Sequence, residues 1–400
     1  MNILVINSGS SSIKFSVFVQ AADIKSRDLS CLLDGAVSGI GKSDASLEIR
    51  NTTGPQSEST VNAQTAEDAI RIVFDAVSKS SISAPQAVAY RVVHPGPKLD
   101  RHQRITAAVL TDLEEAATFA PLHDPAVVRV IREGMSRFPN LPHYACFDTI
   151  FHQTMPEEAS MLPLPKAIRN QGVHRYGFHG LSCESILHGL AATGTALPKR
   201  MVIAHLGSGC SVTAVLNGKS VDTSMGLTPT GGIVMGTRPG DLDPGVILYL
   251  LRQQHGSDAA SAVEAMLNHQ SGLVALTEQP NDMKAIRKAA AQGDEQALLG
   301  LRIFTRSITK AIGAYSWLLG GLDAIVFTGG IGEHDADTRT EVLGGLENLG
   351  IVIDSSLNRE KIDGTRTISR PKSKTQVLVA PAQEDLMIAL HVDRLHRSGQ

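Results

Sequence analysis

The stretch Ile3–Phe18, ILVINSGSSSIKFSVF, runs from an apolar segment through a Gly/Ser turn into a β-rich segment, and Val202–Leu216, VIAHLGSGCSVTAVL, repeats that plan. Together they read as a duplicated strand-turn-strand unit. Aligning Gly9 with Gly207 sets Ser12–Lys14 opposite Cys210–Val212. Both turns are made of small residues, so their backbone N–H groups lie open to an anion with no Cβ in the way. A third glycine-rich turn, Phe327–Glu333 (FTGGIGE), follows the apolar run Asp323–Phe327. Three such turns in two halves of one chain predict an α/β protein that holds a nucleotide's phosphates in a cleft between duplicated domains. The plainer alternative is three tight turns of an α/β protein.

Two near matches to a P-loop fail. Gly41-Lys42-Ser43 has Ala36 where the first glycine belongs, and Gly218-Lys219-Ser220 has Thr213 there. No G-x-G-x-x-G opens a helix after the first strand, and the first turn leads into the β-like run Ile13–Val19, so a dinucleotide-binding fold loses its support. H-E-x-x-H and G-x-S-x-G are absent as well.

A chain of 400 residues with 42% hydrophobic content is long enough for about two domains with sizeable cores. Lys+Arg 37 against Asp+Glu 40 leaves a formal net charge of -3, which gives no global field to gather nucleic acid or anionic lipid. Cys31, Cys146, Cys183 and Cys210 form no C-x-x-C pair and are too few for a disulfide scaffold, so they read as thiols of a reducing compartment. The N-terminus enters the strand Ile3–Ile6 at once, without a signal-peptide pattern, and no run of 18 apolar residues occurs. The expectation is a soluble cytoplasmic protein.

Along the chain, Gly35–Gly54 reads as turns or a further antiparallel strand, Ala66–Ser78 as a helix, and Ala87–Val93 as a strand ending near Arg91, His94 and Gly96. Thr106–Phe119 reads as a helix capped at Thr106 or Thr111, and Ala120–Pro125 as a turn. Pro142–Asp148 is a strand, and the prolines Pro156, Pro163 and Pro165 place a domain boundary near 150. His174–Ser182 precedes a helix, Cys183–Ala192. The 24 residues Asp222–Gly245 form a loop long enough to imply a binding role. Leu301, Phe304, Ile308, Ile312, Tyr315 and Leu319 recur at helical spacing, and Gln376–Val379 is a last strand before Glu384-Asp385 and a closing helix, Leu386–Leu395.

Phosphoryl transfer needs hard oxygen ligands for a metal, cations for the phosphoryl oxygens, and a seat for the acceptor. Asn7, Asp148 and Glu384 supply oxygens suited to magnesium, and Arg91 and Arg238 supply planar donor forks, with His179 as a further donor. Each also has a structural reading as a surface ion pair, a core histidine or a helix cap. Lys14 lies in an otherwise apolar β-like segment, IKFSV, and either points to solvent by alternation or reaches a phosphate.

At these residues the chain resembles the acetate/propionate kinase family, within the wider group of ATP-using proteins that share the sugar-kinase, Hsp70 and actin architecture. The resemblance runs through residues 5–18, YRVVHPG (90–96), FDTIFHQTMP (147–156), RYGFHG (175–180), AHLGSGCSV (204–212), DTSMGLTP (222–229), MGTRPGDLDPG (235–245), FTGGIGE (327–333) and Glu384. It implies duplicated actin-like (ribonuclease H-like) ATPase domains flanking a nucleotide cleft. The first would span 1–150, completed by 384–400, and the second 151–383. The implied activity is reversible, ATP- and Mg²⁺-dependent phosphorylation of acetate or propionate to an acyl phosphate by in-line transfer, in a homodimer joined through the second domain.

Carried over, the resemblance makes Arg91, Asp148, His179 and Arg238 the catalytic centre and Asn7 and Glu384 the magnesium site. Lys14, His205, Leu206, Gly207, Ser208, Gly209, Asp282, Met283, Lys284, Gly329, Gly330, Ile331, Gly332 and Glu333 become ATP contacts. Val93, Leu122, Phe178 and Pro229 become the pocket for the acid's alkyl group. Ser208 and His334 stand where the family usually has asparagine, and Lys284 where it has arginine. Acetate is already ionised at neutral pH, so Asp148 is expected to orient the acceptor or a metal-bound water rather than act as a base. Competing expectations are a kinase for a longer acid, a pyrophosphate donor, or an ATP-driven conformational switch that phosphorylates no acceptor.

Overall fold

Both quoted stretches are hairpins in a computed structural model that describes residues 1–9, 11–20, 29–51, 56–117, 119, 124–194, 196–254 and 258–399. The chain divides into two units, Met1–Ile150 with Gln383–Gln400, and Phe151–Ala382.

In the first unit β1 (Asn2–Ser8) pairs antiparallel with β2 (Ser12–Gln20), and β2 antiparallel with β3 (Leu29–Ser38). Beyond β3 lie β4 (Ser46–Asn51) and β5 (Ser57–Thr60). On its other side β1 runs parallel to β6 (Ala87–Val92), and β6, with β7 (Gln103–Arg104) following it in sequence, runs parallel to β8 (His143–Phe147). The second unit repeats the directions. Its β9 (Arg200–Leu206) and β10 (Cys210–Leu216) are antiparallel, as are β10 and β11 (Lys219–Thr223). Parallel pairs then join β9 to β12 (Ala324–Thr328) and β12 to β14 (Gln376–Val379), with the short β13 (Arg366–Thr367) on the edge. Two antiparallel steps followed by two parallel steps, in both units, carry the duplication from sequence into topology.

The gap-free match of the two hairpins needs a correction. Ser8 pairs with Ile13 across four turn residues, whereas Leu206 pairs with Cys210 across three. The match therefore slips by one position past the turn, and a slip of one moves every side chain to the other face. The equivalent pairs are Asn7 with Lys14 and His205 with Ser211.

Alternation sorts the first sheet's faces. Leu4, Ile6, Ile13, Phe15, Val17, Val88, Tyr90 and Val92 join the core with Ile70, Val73, Phe74 and Val77 of the helix Ala66–Lys79. That helix is started by a capping box of Thr65 and Asp68. Asn7, Lys14, Ser16 and Arg91 therefore lie on the opposite face, where the helix Glu384–Arg397 packs on β1, β2, β3, β6 and β8. In the second unit the helix Gly180–Ala192 places Cys183, Ile186 and Leu190 against Met201, Ile203, Val326 and Leu378. The helix Glu295–Leu318, which contacts β9 and β10, buries five of the residues whose spacing marked it, Leu301, Phe304, Ile308, Ile312 and Tyr315, while Leu319 follows as its half-buried C-cap.

Local expectations are refined in places. Thr106, not Thr111, caps the helix Ala107–Ala116, because its side chain accepts from the Val109 N–H. Within FTGGIGE only Gly329 turns the chain, at φ 76°; residues Gly329–His334 form a short helix rather than an open turn. Of the expected loop Asp222–Gly245, residues 224–243 carry no regular element, while Asp222 and Thr223 belong to β11 and Pro244 and Gly245 open the helix Pro244–Gln253. Among the described residues no helix is long and apolar enough to cross a membrane.

Candidate active site

Period-two geometry brings Asn7 and Arg91 to neighbouring strand ends in the first unit, beside the first turn of the helix Glu384–Arg397. Arg91 grips Asp148 with both arms: Nη2 donates to Oδ2 at 2.7 Å and Nε to Oδ1 at 3.2 Å. Its Nη1 donates to Asn7 Oδ1 at 3.2 Å, and Glu384 Oε2 lies 3.8 Å from Nε. Burial pulls the guanidinium down, but Asp148 and Glu384 more than offset it and hold Arg91 above its ordinary value. Asp148 is 1% exposed, so the pair works with little water to screen it.

Asp385, the second acid of the pair between the last strand and the closing helix, belongs to the same cluster, and its partners there are what the sequence did not show. Its Oδ2 accepts from Ser16 Oγ at 2.7 Å, and its Oδ1 accepts from Asn7 Nδ2 at 3.3 Å, while Glu384 Oε2 takes the same amide at 3.3 Å. These two acceptors turn the amide so that its oxygen faces Arg91. Burial, the largest influence, pushes the Asp385 carboxyl up, the Ser16 hydroxyl opposes it, and Glu384 adds to it. Lys14 is exposed on this face of β2.

The second unit holds the other candidates. His179 Nδ1 lies 2.9 Å from Ser211 Oγ, and His205 Nδ1 lies 2.8 Å from Ser182 Oγ. The two imidazoles stack with centroids 4.1 Å apart and planes 18° from parallel. Both rings depend on the hairpin pair His205–Ser211. A Cβ on Gly209 would fall 2.7 Å from Arg238 Nη2 and 3.2 Å from His179 Nε2, so glycine is what lets the turn approach both groups. Burial draws the Arg238 guanidinium below its ordinary value, which Cys210 only partly counters. Burial, ahead of the opposing Gly207 carbonyl and Arg238, raises the Cys210 thiol to about 12 and keeps it neutral.

Three loops meet at this turn. The Ser208 carbonyl accepts from the Gly236 N–H at 3.3 Å, and Asn281 Nδ2 donates to Ser208 Oγ at 3.0 Å. Asp282 caps the helix Met283–Ala291 by accepting from the Lys284 N–H. Gly329 lies against the backbone of Leu206, since a Cβ there would be 2.7 Å from the Leu206 oxygen. Glu333 Oε1 accepts from the Gly329 and Ala382 N–H groups at 3.0 and 3.1 Å. Residues 205–209, 282–284 and 329–333 are thus gathered at one end of the second sheet. Of the expected alkyl pocket, Val93 is buried in the first unit, Phe178 and Pro229 are buried in the second, and Leu122 lies outside the described residues.

A duplicated sheet of this topology, with arginines, imidazoles and glycines collected at strand ends, defines an enzyme of the actin-like ATPase fold. A profile described as the Acetokinase family matches residues 2–390. An acetate kinase of Streptomyces avermitilis is 40% identical over 97% of this chain and 95% of its own length. Another, of Geobacillus kaustophilus, is 39% identical over 98% of both. Among solved structures, a propionate kinase of Francisella tularensis superposes with a TM-score of 0.88 at 34% identity over 98% of both chains. An acetate kinase of Porphyromonas gingivalis gives 0.85 at 33% over 99% of both. The chain belongs to the Acetokinase family.

Proposed function

We propose that this chain transfers the γ-phosphoryl group of ATP reversibly to a carboxylate oxygen of acetate, and of propionate, giving an acyl phosphate and ADP. The observation that carries the site assignment is the approach of His179 Nε2 and Arg238 Nη2 to one point at Gly209. Two donors there face the same small volume, the arrangement needed to take up charge on phosphoryl oxygens. In the transfer the acceptor oxygen forms a bond to phosphorus while the bond to the bridging oxygen of ADP breaks. No proton need move, because acetate is ionised near neutral pH.

Asp148 fits an orienting role better than that of a base, since both its oxygens already accept from Arg91. The oxygens of Asn7, Asp148 and Glu384 suit Mg²⁺, and Asp148, Glu384 and Asp385 together place three carboxylates about the Arg91 guanidinium. When bound, the ion would neutralise charge between the outer phosphates. Residues 205–209, 282–284 and 329–333, with Lys14, form the proposed ATP contacts, and Val93, Leu122, Phe178 and Pro229 the seat for the alkyl group.

A homodimer is part of the proposal, supported by the helix Pro244–Gln253, none of whose residues is buried although six are apolar or aromatic. So is a cytoplasmic location, which fits four cysteines that no disulfide joins among the described residues. Trapping the acyl phosphate with hydroxylamine tests the reaction. The expected outcome is hydroxamate that depends on both ATP and acetate or propionate; ATP hydrolysis without hydroxamate would point to a conformational switch, and product only with pyrophosphate to another donor.

A further inference from the structure

His179 sits at φ 58°, ψ 28°, in the left-handed region, immediately before the helix Gly180–Ala192. A residue with a Cβ stays there only when its surroundings impose it. The surroundings are centred on His152, a residue of the FDTIFHQTMP stretch that is 1% exposed. Its Nε2 lies 2.9 Å from the Phe178 carbonyl oxygen and its Nδ1 2.9 Å from Ser220 Oγ. A carbonyl only accepts, so Nε2 carries the proton and Nδ1 accepts from the serine hydroxyl. Thr154 Oγ1 donates to the Ser220 carbonyl at 2.8 Å, which ties the same turn to β11. Gly177, at φ 74°, packs on the imidazole so closely that a Cβ would fall 2.7 Å from His152 Cγ.

The Phe178 carbonyl belongs to the peptide plane that joins Phe178 to His179. Turning that plane changes φ at His179, so fixing the carbonyl fixes the ring's direction. We propose that His152 is a positioning residue for phosphoryl transfer: it holds the 178–179 peptide so that His179 remains left-handed, with Nε2 beside Arg238. The inference rests on the role proposed for His179. Neither nitrogen of His152 is directed at substrate in this role, so its effect reaches the reaction only through the backbone.

The test compares His152→Phe, which keeps a planar ring without a donor, with His152→Gln, whose amide N–H can reach the Phe178 carbonyl. Steady-state constants are measured for ATP and acetate. Imidazole signals are followed by ¹H–¹⁵N NMR, those of His179 being identified by their loss in His179→Asn. In His152→Phe, kcat should fall about 10- to 100-fold while KM for ATP stays within about twofold, as for a misplaced catalytic group. The His179 signals should move, and His152→Gln should restore most of both. A folded His152→Phe protein with wild-type His179 signals, or a Gln variant no better than the Phe variant, overturns the proposal. If the Phe variant does not fold, Ser220→Ala serves instead: kcat and the His179 signals should both shift, and no change in either overturns it. Full turnover in His179→Asn would remove the role of His179, leaving the NMR comparison to decide what His152 positions.

Discussion

Arg91 and Arg238 carry the same charge in opposite circumstances, and substitution should separate them. Arg91 is paired with a carboxylate that is 1% exposed, whereas among the described residues Arg238 pairs with no carboxylate and donates to the Pro229 carbonyl. Alanine at either position should lower turnover about 100-fold or more, with lysine restoring part of it. Only Arg91→Ala removes the guanidinium that donates to both oxygens of a buried carboxylate, and that variant should also lose about 3–5 kcal/mol of stability. Denaturant titration beside kinetics decides; equal stability of the two variants would show that the Arg91–Asp148 pair does not hold the fold. His102 gives a pH dependence. Burial, helped by His391 and Arg394, pushes its imidazole down from 6.5 to about 2. Its Nδ1 accepts from the Phe147 N–H, so the folded protein keeps it neutral while the unfolded chain takes up a proton below its ordinary pKa. Its contribution is therefore complete above pH ~6.5 and lost progressively toward pH ~2, at about 1.4 kcal/mol per pH unit. Unfolding measured from pH 7 to 4 in wild type and His102→Asn should show a shallower slope in the variant, and parallel slopes would refute the assignment. At this scale the residue types were legible, since arginine, aspartate and histidine beside strand ends announce chemistry. Their partners were not: Ser16 meets Asp385 across 369 positions and Ser182 meets His205 across 23, and neither contact is written in a local pattern.

The elements were read from periodicity, and they failed where glycine obscured it. FTGGIGE reads as a turn because five small or polar residues interrupt the apolar pattern, yet Gly329–His334 is helical. What secures so short a helix is Arg339, 1% exposed, whose Nη1 donates to the Gly332 and Glu333 carbonyls at 2.8 and 3.0 Å. Its other arms go to Asn358, at 2.7 Å to Oδ1 and 2.6 Å to the carbonyl oxygen. Burial first, and Arg366 second, lower the guanidinium to about 10, which leaves it charged at neutral pH. Arg339→Met should strand these acceptors and cost about 2–4 kcal/mol. It should also raise KM for ATP without changing KM for acetate, because it loosens the helix next to Leu206. Denaturation midpoints and the two KM values check this; a destabilised protein with unaltered KM for ATP would remove residues 329–333 from the nucleotide site. By contrast, the helix Glu295–Leu318 was legible because a regular apolar stripe is a local property of sequence. The helix Pro244–Gln253 was not marked, because six consecutive apolar or aromatic residues, 246–251, run around its circumference.

For the whole molecule, the proposed dimer makes the simplest demand. Leu248 and Tyr249 are 52% and 59% exposed on a helix with no fully buried residue, whose Ile247, Leu250 and Leu251 are half-buried. Burying such side chains against a second copy would contribute about 1.5–3 kcal/mol each. Tyr249→Glu should therefore convert a dimer into monomers, read by sedimentation velocity; a wild-type monomer would dismiss the proposed assembly, and a dimeric variant would move its interface elsewhere. The duplicated hairpins, the α/β class, the main amphipathic helices and the residue types suited to phosphoryl transfer could all be read along the chain. Each of these is written in a local pattern: strand alternation, helical spacing, or a run of small residues at a turn. The tertiary structure alone decided that the second turn is one residue shorter, that Asp385 joins Asn7 and Ser16, and that His152 holds the peptide before His179. Those facts depend on register and on which face meets which helix. A hydrogen bond between residues 26 positions apart, as for His152 and Phe178, or 378 apart, as for Asn7 and Asp385, leaves no periodic trace in the sequence, because its geometry exists only after the sheets have formed.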